Sequence, residues 1–343
     1  MTAIERFSAP TRAWFSGAFD APTPAQEEGW DAIAEGKHVL LSAPTGSGKT
    51  LAAFLWALDR LATEPVPTDE KRRCRVLYVS PLKALTYDVE RNLQTPLTGM
   101  AIECQRAGLP LPDIRVGART GDTPADERRA LVRHPPDVLV TTPESLYLLL
   151  TSQAKAALAG VEVVIVDEIH AVASTKRGSH LALTLERLEQ LVVELRGDGA
   201  TFQRIGLSAT QKPLEEVGRF LGGKVGGEFR PVTVVDAHMP KEFDIQIVVP
   251  VEDMAQLGKP IADKIDGAVI NPEIATSPEA RHSIWPALQA ELLHLIRAHK
   301  STLVFVNNRR LAERIAASLN ELADEQLARA HHGSIAREQR LEI

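Results

Sequence analysis

The clearest hydrophobic pattern begins at residue 39. Short runs of aliphatic residues at 39–42, 76–80, 138–141, 161–167 and 204–207 carry few polar positions, as strands covered on both faces do. Between them apolar residues recur at helical spacing: Leu51, Phe54, Leu55 and Leu58 after the first run, and Leu181, Leu185, Leu188 and Leu191 after the fourth. Strand and helix thus alternate, which predicts an α/β fold on a doubly wound parallel sheet, with ligands at the carboxyl ends of the strands. The glycine-rich stretch 221–227 (LGGKVGG) follows the last helix of this block and reads as a hinge, predicting one domain over 1–227 and another over 228–343. Within the second, 251–284 mixes Gly, Pro, Asp and Ser without period and reads as an irregular insertion. Alternation resumes with a helix at 285–298, a strand at 301–306, a helix at 309–322 and a short strand at 328–331. Residues 335–343 open like another helix with no stop signal, so the second block reads as cut off part-way through a fold.

Composition narrows the class without naming the partner. With 343 residues, 44% hydrophobic and 24% charged, the chain is neither disordered nor collagenous, and its length suits two domains. Lys and Arg number 39 against 45 Asp and Glu, so a nucleic-acid-binding surface, if present, is local rather than a general basic coat. Two cysteines, Cys74 and Cys104, without paired spacing argue against a disulfide framework or a zinc site and for a reducing compartment. The N-terminus has no signal-peptide core and no apolar run is long enough to span a bilayer, which predicts a cytoplasmic protein, nucleoid-associated or free, with no membrane partner.

The strongest chemistry lies where the first predicted strand hands over to a helix. There Ala43, Pro44, Thr45, Gly46, Ser47, Gly48, Lys49 and Thr50 follow one another. Gly46 and Gly48 free the backbone to turn N–H groups toward an anion, the helix N-terminus adds a favourable dipole, Lys49 reaches β- and γ-phosphates, and Thr50 ligates Mg²⁺. This is the logic of a P-loop, with Ala43 standing where the general pattern has glycine. A second element is the apolar run Val163, Val164, Ile165 and Val166, which ends in Asp167 and Glu168. In that place Asp167 faces Mg²⁺ and Glu168 is the candidate general base for the attacking water. A carboxylate pair ends many strands with no catalytic meaning, but this one follows a P-loop in the same predicted sheet. Together they read as a P-loop NTPase.

In order and spacing these elements resemble the superfamily 2 helicases, and most closely the large helicase-related (Lhr) family of DExH-box proteins, over nearly the whole chain. Phe19, Thr23 and Gln26 are similar to a Q motif; Ala43 through Thr50 to motif I; Pro81, Leu82, Lys83, Ala84 and Leu85 to motif Ia; and Thr142, Pro143 and Glu144 to motif Ib. Asp167, Glu168, Ile169 and His170 resemble motif II, and Ser208, Ala209 and Thr210 motif III. In the second block Asn307 ends a segment similar to motif IV, and His331, His332, Gly333 and Ser334 resemble motif IVa. The resemblance implies a RecA-like domain followed by a partial second one, with ATP and Mg²⁺ as cofactors. It also implies that His170, Ser208, Ala209 and Thr210 couple hydrolysis to domain movement.

Gln26 carries both a donor and an acceptor and matches the N6/N7 edge of adenine, which would favour ATP; it also reads as an ordinary glutamine beside a proline turn. Phe19 reads equally as a base neighbour or a cap on the core. Nucleic-acid contacts are expected from Pro81, Lys83, Arg119, Thr120, Gly121, Thr142 and Pro143, and from Asn307, Arg309, Arg310, His332, Gly333 and Ser334 in the second block. These are mostly basic, hydroxyl and backbone groups, suited to phosphate and sugar rather than to base edges. The pairs Arg128-Arg129 and Lys176-Arg177 read as solvated faces without a role.

The expected function is an ATP-dependent helicase or translocase on single-stranded nucleic acid that unwinds DNA or RNA–DNA hybrid, with 3′-to-5′ polarity and a repair role implied by the resemblance. Motifs V and VI do not occur before Ile343, and an arginine finger of the kind motif VI supplies is worth about 10³–10⁵ in rate. The expectation is therefore the front part of a longer Lhr-like chain, and the alternative is an ATP-gated strand-binding fragment without turnover. A small-molecule kinase would need a lid and a hydroxyl site that the sequence does not show.

Overall fold

The computed structural model describes residues 2–209, 212–237, 244–250 and 284–332, and the side chains of these except 83–88 and 90. It divides into two units, Met1–Lys241 and Glu242–Ile343.

The first unit is built on strands β1 (His38–Ser42), β2 (Val76–Val79), β3 (Val116–Arg119), β4 (Val138–Thr141), β5 (Val163–Val166) and β6 (Gln203–Ser208). A short antiparallel hairpin, β7 (Lys224–Val225) and β8 (Glu228–Phe229), leads into β9 (Val232–Asp236). Seven strands form one sheet in the order β3-β4-β2-β5-β6-β1-β9, and every pairing is parallel. β2, β4 and β5 are buried at all four positions, which is why their sequences are unbroken apolar runs.

The strand period divides the core in two. Val76, Tyr78, Val138, Val140, Val163 and Ile165 face a cluster with Phe7, Phe15, Trp30, Phe54 and Leu58. Their neighbours Leu77, Val79, Leu139, Val164 and Val166 face the other cluster, with Leu146, Leu185, Leu188 and Leu221. The first cluster is covered by α1 (Ala9–Ala18), α2 (Pro24–Ala34), α3 (Lys49–Thr63) and α4 (Lys83–Arg106). The second is covered by α6 (Pro143–Leu150), α8 (Lys176–Arg196) and α9 (Leu214–Gly222); the unit also holds α5 (Ala125–Arg133), the single turn α7 (His170–Ala173) and short 3-10 turns.

The hinge expected at 221–227 is the β7–β8 hairpin, whose Gly226 and Gly227 turn at φ 58° and 92°. The chain then returns to the sheet, because β9 lies in register beside β1 from His38↔Val232 to Ser42↔Asp236. The first unit therefore ends after β9, not at residue 227.

In the second unit α10 (Trp285–Ala298) and α11 (Arg309–Ala323) pack around Leu293, Ile315 and Leu319, with Arg314 stacked 4.7 Å over the Trp285 ring. The strands expected at 301–306 and 328–331 are not formed. A strand needs a neighbour to pair with, and among the described residues of this unit no ladder exists; Leu303 and Phe305 stand 82% and 91% exposed. The expected insertion at 251–284 lies, apart from Ile284, outside the described residues, as do Thr210, Gly333, Ser334 and the helix expected from 335. No helix among the described residues is long and apolar enough to cross a membrane.

Candidate functional site

β1 and β5 flank β6, so the loops after all three open at one end of the sheet. After β1, Gly46 and Gly48 take φ of 84° and 77°, a conformation other residues adopt at a cost. Gly48 caps α3 with no side-chain bond of its own, leaving the first N–H groups of that helix to point into the loop. Ala43, by contrast, needs no glycine: among described non-glycine residues only Glu168 and Asp324 have positive φ, and Ala43 is fully buried with Ala25 and Ala237. Its N–H donates to Ser208 O at 3.1 Å, fastening the loop to β6.

Lys49 is 6% exposed and its Nζ donates to Ala43 O at 3.2 Å, so the ammonium lies back across the loop. The Ser47 hydroxyl is buried without a hydrogen-bond partner. An unused buried donor, a helix start without a side-chain cap and a lysine, all in one loop, fit the oxygens of a polyphosphate. Thr50 in the first turn of α3 and Asp167 after β5 are hard oxygen donors of the type Mg²⁺ takes.

The Q-motif residues brace this loop. Thr23 caps α2 and donates through Oγ1 to Ser47 O at 2.8 Å, while its own N–H donates to Gln26 Oε1 at 2.9 Å, a reciprocal capping box. Gln26, 3% exposed, donates from Nε2 to Gly48 O at 3.4 Å. One lone pair and one N–H of its amide remain for another partner. Phe19 lies against Phe15 and Trp14 at 4.9 and 6.0 Å and is 43% exposed.

At the end of β5 both oxygens of Asp167 are held: Oδ1 accepts the Glu168 N–H at 2.9 Å, and Oδ2 accepts the Tyr78 hydroxyl. Tyr78 comes from β2 and stacks on Phe54. Burial first, and the Asp167 charge second, push its phenol well above the ordinary tyrosine value, so it is a donor at every working pH. Sequence reasoning missed Tyr78; the available signal was a polar-tipped aromatic in a strand otherwise made of Val and Leu.

Glu168 takes φ 44°, a conformation rare for a side-chain-bearing residue and frequent at functional sites. Its Oε2 lies 3.2 Å from His170 Nε2, and His170 Nδ1 accepts the Ala209 N–H at 3.2 Å. The amide fixes the tautomer, so Nε2 carries the proton and donates to Glu168. Ile169 N–H also donates to Leu207 O at 3.0 Å. Among the described residues the DEIH segment thus meets the 208–209 segment through the Ala209 backbone. The Ser208 hydroxyl donates to Ala209 O instead, at 2.8 Å.

The residues expected at nucleic acid in the first unit follow β2, β4 and β3, three neighbours in the sheet. Thr142 caps α6 through Ser145 and Thr120 caps the turn to Asp122; each is 2% exposed, so these hydroxyls brace their own loops. Pro143 is buried at the start of α6, and the Gly121 carbonyl accepts Arg128 Nη2 at 2.7 Å. Arg119 lies with Nη1 buried and unpartnered, and burial followed by the Arg128 charge lowers its pKa. Pro81 is buried, and its carbonyl accepts a bond from Arg177 at 2.5 Å; Lys83 opens α4. In the second unit Asn307, Arg309 and Arg310 are exposed around the start of α11, and His332 pairs with Glu313 at 3.0 Å.

Comparison with known proteins agrees with this arrangement. Residues 23–217 match the family model of the DEAD/DEAH box helicases. The Escherichia coli (strain K12) Lhr helicase/uracil glycosylase is 45% identical over 97% of this chain and 23% of its own length. The Methanocaldococcus jannaschii ATP-dependent helicase Lhr-Core is 40% identical over 97% of this chain and 36% of its own length. The structure of Mycobacterium smegmatis helicase Lhr bound to ssDNA and AMP-PNP superposes with a TM-score of 0.79 at 50% identity, covering 100% of this chain and 40% of that one. The chain thus spans less than half the length of each of these relatives. With its P-loop, DEIH segment and parallel sheet in that order, the chain belongs to the DEAD/DEAH box helicase family.

Proposed function

We propose that this chain is the ATP-hydrolysing part of a motor that moves along single-stranded DNA and unwinds duplex or RNA–DNA hybrid in DNA repair, working in the cytoplasm or on the nucleoid. The observation that carries the reading is the chain of contacts from Glu168 through His170 to Ala209, set beside a loop whose Ser47 hydroxyl is buried without a partner among the described residues and whose helix start has no side-chain cap. Lys49 would exchange Ala43 O for the β- and γ-phosphates, and the uncapped start of α3 would hold the remaining oxygens. Thr50 and Asp167 would hold Mg²⁺, which supplies charge neutralisation at the phosphates. Glu168, steered by His170, would orient the attacking water and take its proton. Gln26 would offer its remaining lone pair and N–H to adenine. The loops after β2, β3 and β4, with Pro81, Lys83, Arg119, Gly121, Thr142 and Pro143, would hold the strand, and Asn307, Arg309, His332 and Gly333 would serve it from the second unit.

The deciding experiment is ATP hydrolysis by the purified 343-residue chain with and without single-stranded DNA, alongside Lys49→Ala and Glu168→Gln. DNA-stimulated turnover that both substitutions abolish supports the motor. Nucleotide and strand binding without turnover assigns the chain to an ATP-gated binding module, its catalytic arginines supplied by a longer polypeptide. Absence of both kinds of binding overturns the reading.

A further inference from the structure

Lys176 and Arg177 read in the sequence as a solvated pair, but Arg177 is bonded on three sides. Its Nε and Nη2 donate to the two carboxylate oxygens of Glu144, the second at 2.8 Å, and its Nη1 donates to Pro81 O at 2.5 Å. The pair is well exposed, 37% and 54%, so it adds little to stability. What it fixes is geometry, because a bidentate fork plus a third bond leaves the guanidinium one orientation.

The position is also electrostatically unfavourable on its own helix. Arg177 lies in the first turn of α8, where no acidic residue is present and the helix dipole opposes a cation. Glu144 occupies the first turn of α6, where an anion is favoured, and the Arg177 bond further lowers its pKa. The arginine is therefore explained by its partners in the loop after β2 and on α6, not by α8.

Those partners belong to the Pro81–Lys83 and Thr142–Glu144 loops, while Arg177 is tied closely to the DEIH segment. Ala171 N–H donates to Glu168 O, Thr175 N–H and Oγ1 both donate to Val172 O, and Thr175 Oγ1 accepts the Gly178 N–H. Between His170 and Arg177 the chain has one short turn and a capped helix start, with Gly178 seated against Val172 O.

From this we infer that Arg177 is a positioning residue that locks the two strand-binding loops to the helix following His170, so that the state of the nucleotide site sets the grip on nucleic acid. The inference rests on the motor reading above and adds a residue that takes no part in hydrolysis or in touching the strand.

The test uses the full chain and a fluorescein-labelled oligo(dT), measuring strand affinity by anisotropy with and without AMP-PNP, and AMP-PNP affinity separately. In the parent chain AMP-PNP changes strand affinity. Arg177→Ala is expected to shrink that change about fivefold or more, the lower end of coupling between linked sites, with AMP-PNP affinity alone held within about twofold. Arg177→Lys keeps the charge and the fold but not the fork, and is expected to behave like Arg177→Ala; Glu144→Gln, which still accepts one bond, is expected to lie between. A parent chain with nucleotide-sensitive strand binding and an Arg177→Ala chain with the same sensitivity would overturn the inference alone. A parent chain that binds AMP-PNP but no strand would overturn the motor reading and the inference with it.

Discussion

Replacing Tyr78 by Phe removes one oxygen atom and leaves the ring stacked on Phe54, 5.0 Å between centroids. The loss falls on Asp167, 6% exposed, whose Oδ2 has the Tyr78 hydroxyl as its partner. A hydrogen bond to a charged group contributes about 1.5–3 kcal/mol, and a buried oxygen left without a partner incurs its full desolvation cost. The first unit should therefore lose about 2 kcal/mol of stability. Urea unfolding followed by tryptophan fluorescence measures this, in a Trp285→Phe background so that Trp14, Trp30 and Trp56 report on the first unit only. With a urea slope of about 2 kcal/mol/M the midpoint drops by about 1 M at unchanged slope. Asp167→Asn and the double variant close a cycle whose coupling energy should reach about 1–2 kcal/mol. A coupling below about 0.5 kcal/mol with an unmoved midpoint would refute the argument, leaving Tyr78 as core filling alone.

Two further outcomes follow from packing and protonation. Gly178→Ala places a Cβ 2.0 Å from Val172 O, so it should destabilise by about 2–3 kcal/mol in the same unfolding assay, whereas the gain of about 1 kcal/mol seen for Gly→Ala in an open helix would mean that the contact is absent. Burial first, and the charges of Arg204 and Arg230, hold the pKa of His38 below its usual 6.5 against the opposing pull of Glu189. Below that value the unfolded chain takes up a proton that the folded chain refuses, so this contribution is complete above 6.5 and is lost as the pH falls through the folded pKa. His38→Gln should flatten the stability profile between pH 7 and 5 by up to about 1.4 kcal/mol per pH unit, and an unchanged slope would show that His38 does not titrate there.

The parts of the fold legible in the sequence were those where one physical demand dominates. β2, β4 and β5 are buried on both faces and can hardly be anything but apolar runs. β3, with Gly117 and Arg119 and only partial burial at each position, lies at the sheet edge and offers no such run. β9 was hidden by its approach, because two glycines that serve a tight hairpin have the same composition as a flexible hinge. The segment at 301–306 shows the converse: among the described residues its β-type side chains have no neighbouring ladder to join, and it forms no strand.

At the site, the residue types of the P-loop and the DEIH segment announced themselves, since the phosphate and metal chemistry proposed for them admits few substitutes. Their supporting contacts did not. Tyr78 and Asp167 are 89 residues apart in sequence, Arg177 and Pro81 are 96, and only the strand order brings either pair together. The hydroxyls of Thr120 and Thr142 also hold their own loops, a use that depends on local turn geometry rather than on residue type.

The pairing of β9 with β1 has a mechanical consequence. Asp236 lies beside Ser42, and the Ala237 N–H donates to Ser42 O at 3.0 Å, one residue before Ala43. A pull on the chain beyond residue 237 that runs along β9 would load the five register pairs from His38↔Val232 to Ser42↔Asp236 together, in shear. The tether is thus anchored one residue before the Ala43–Thr50 loop, at the end of the strand that leads into it.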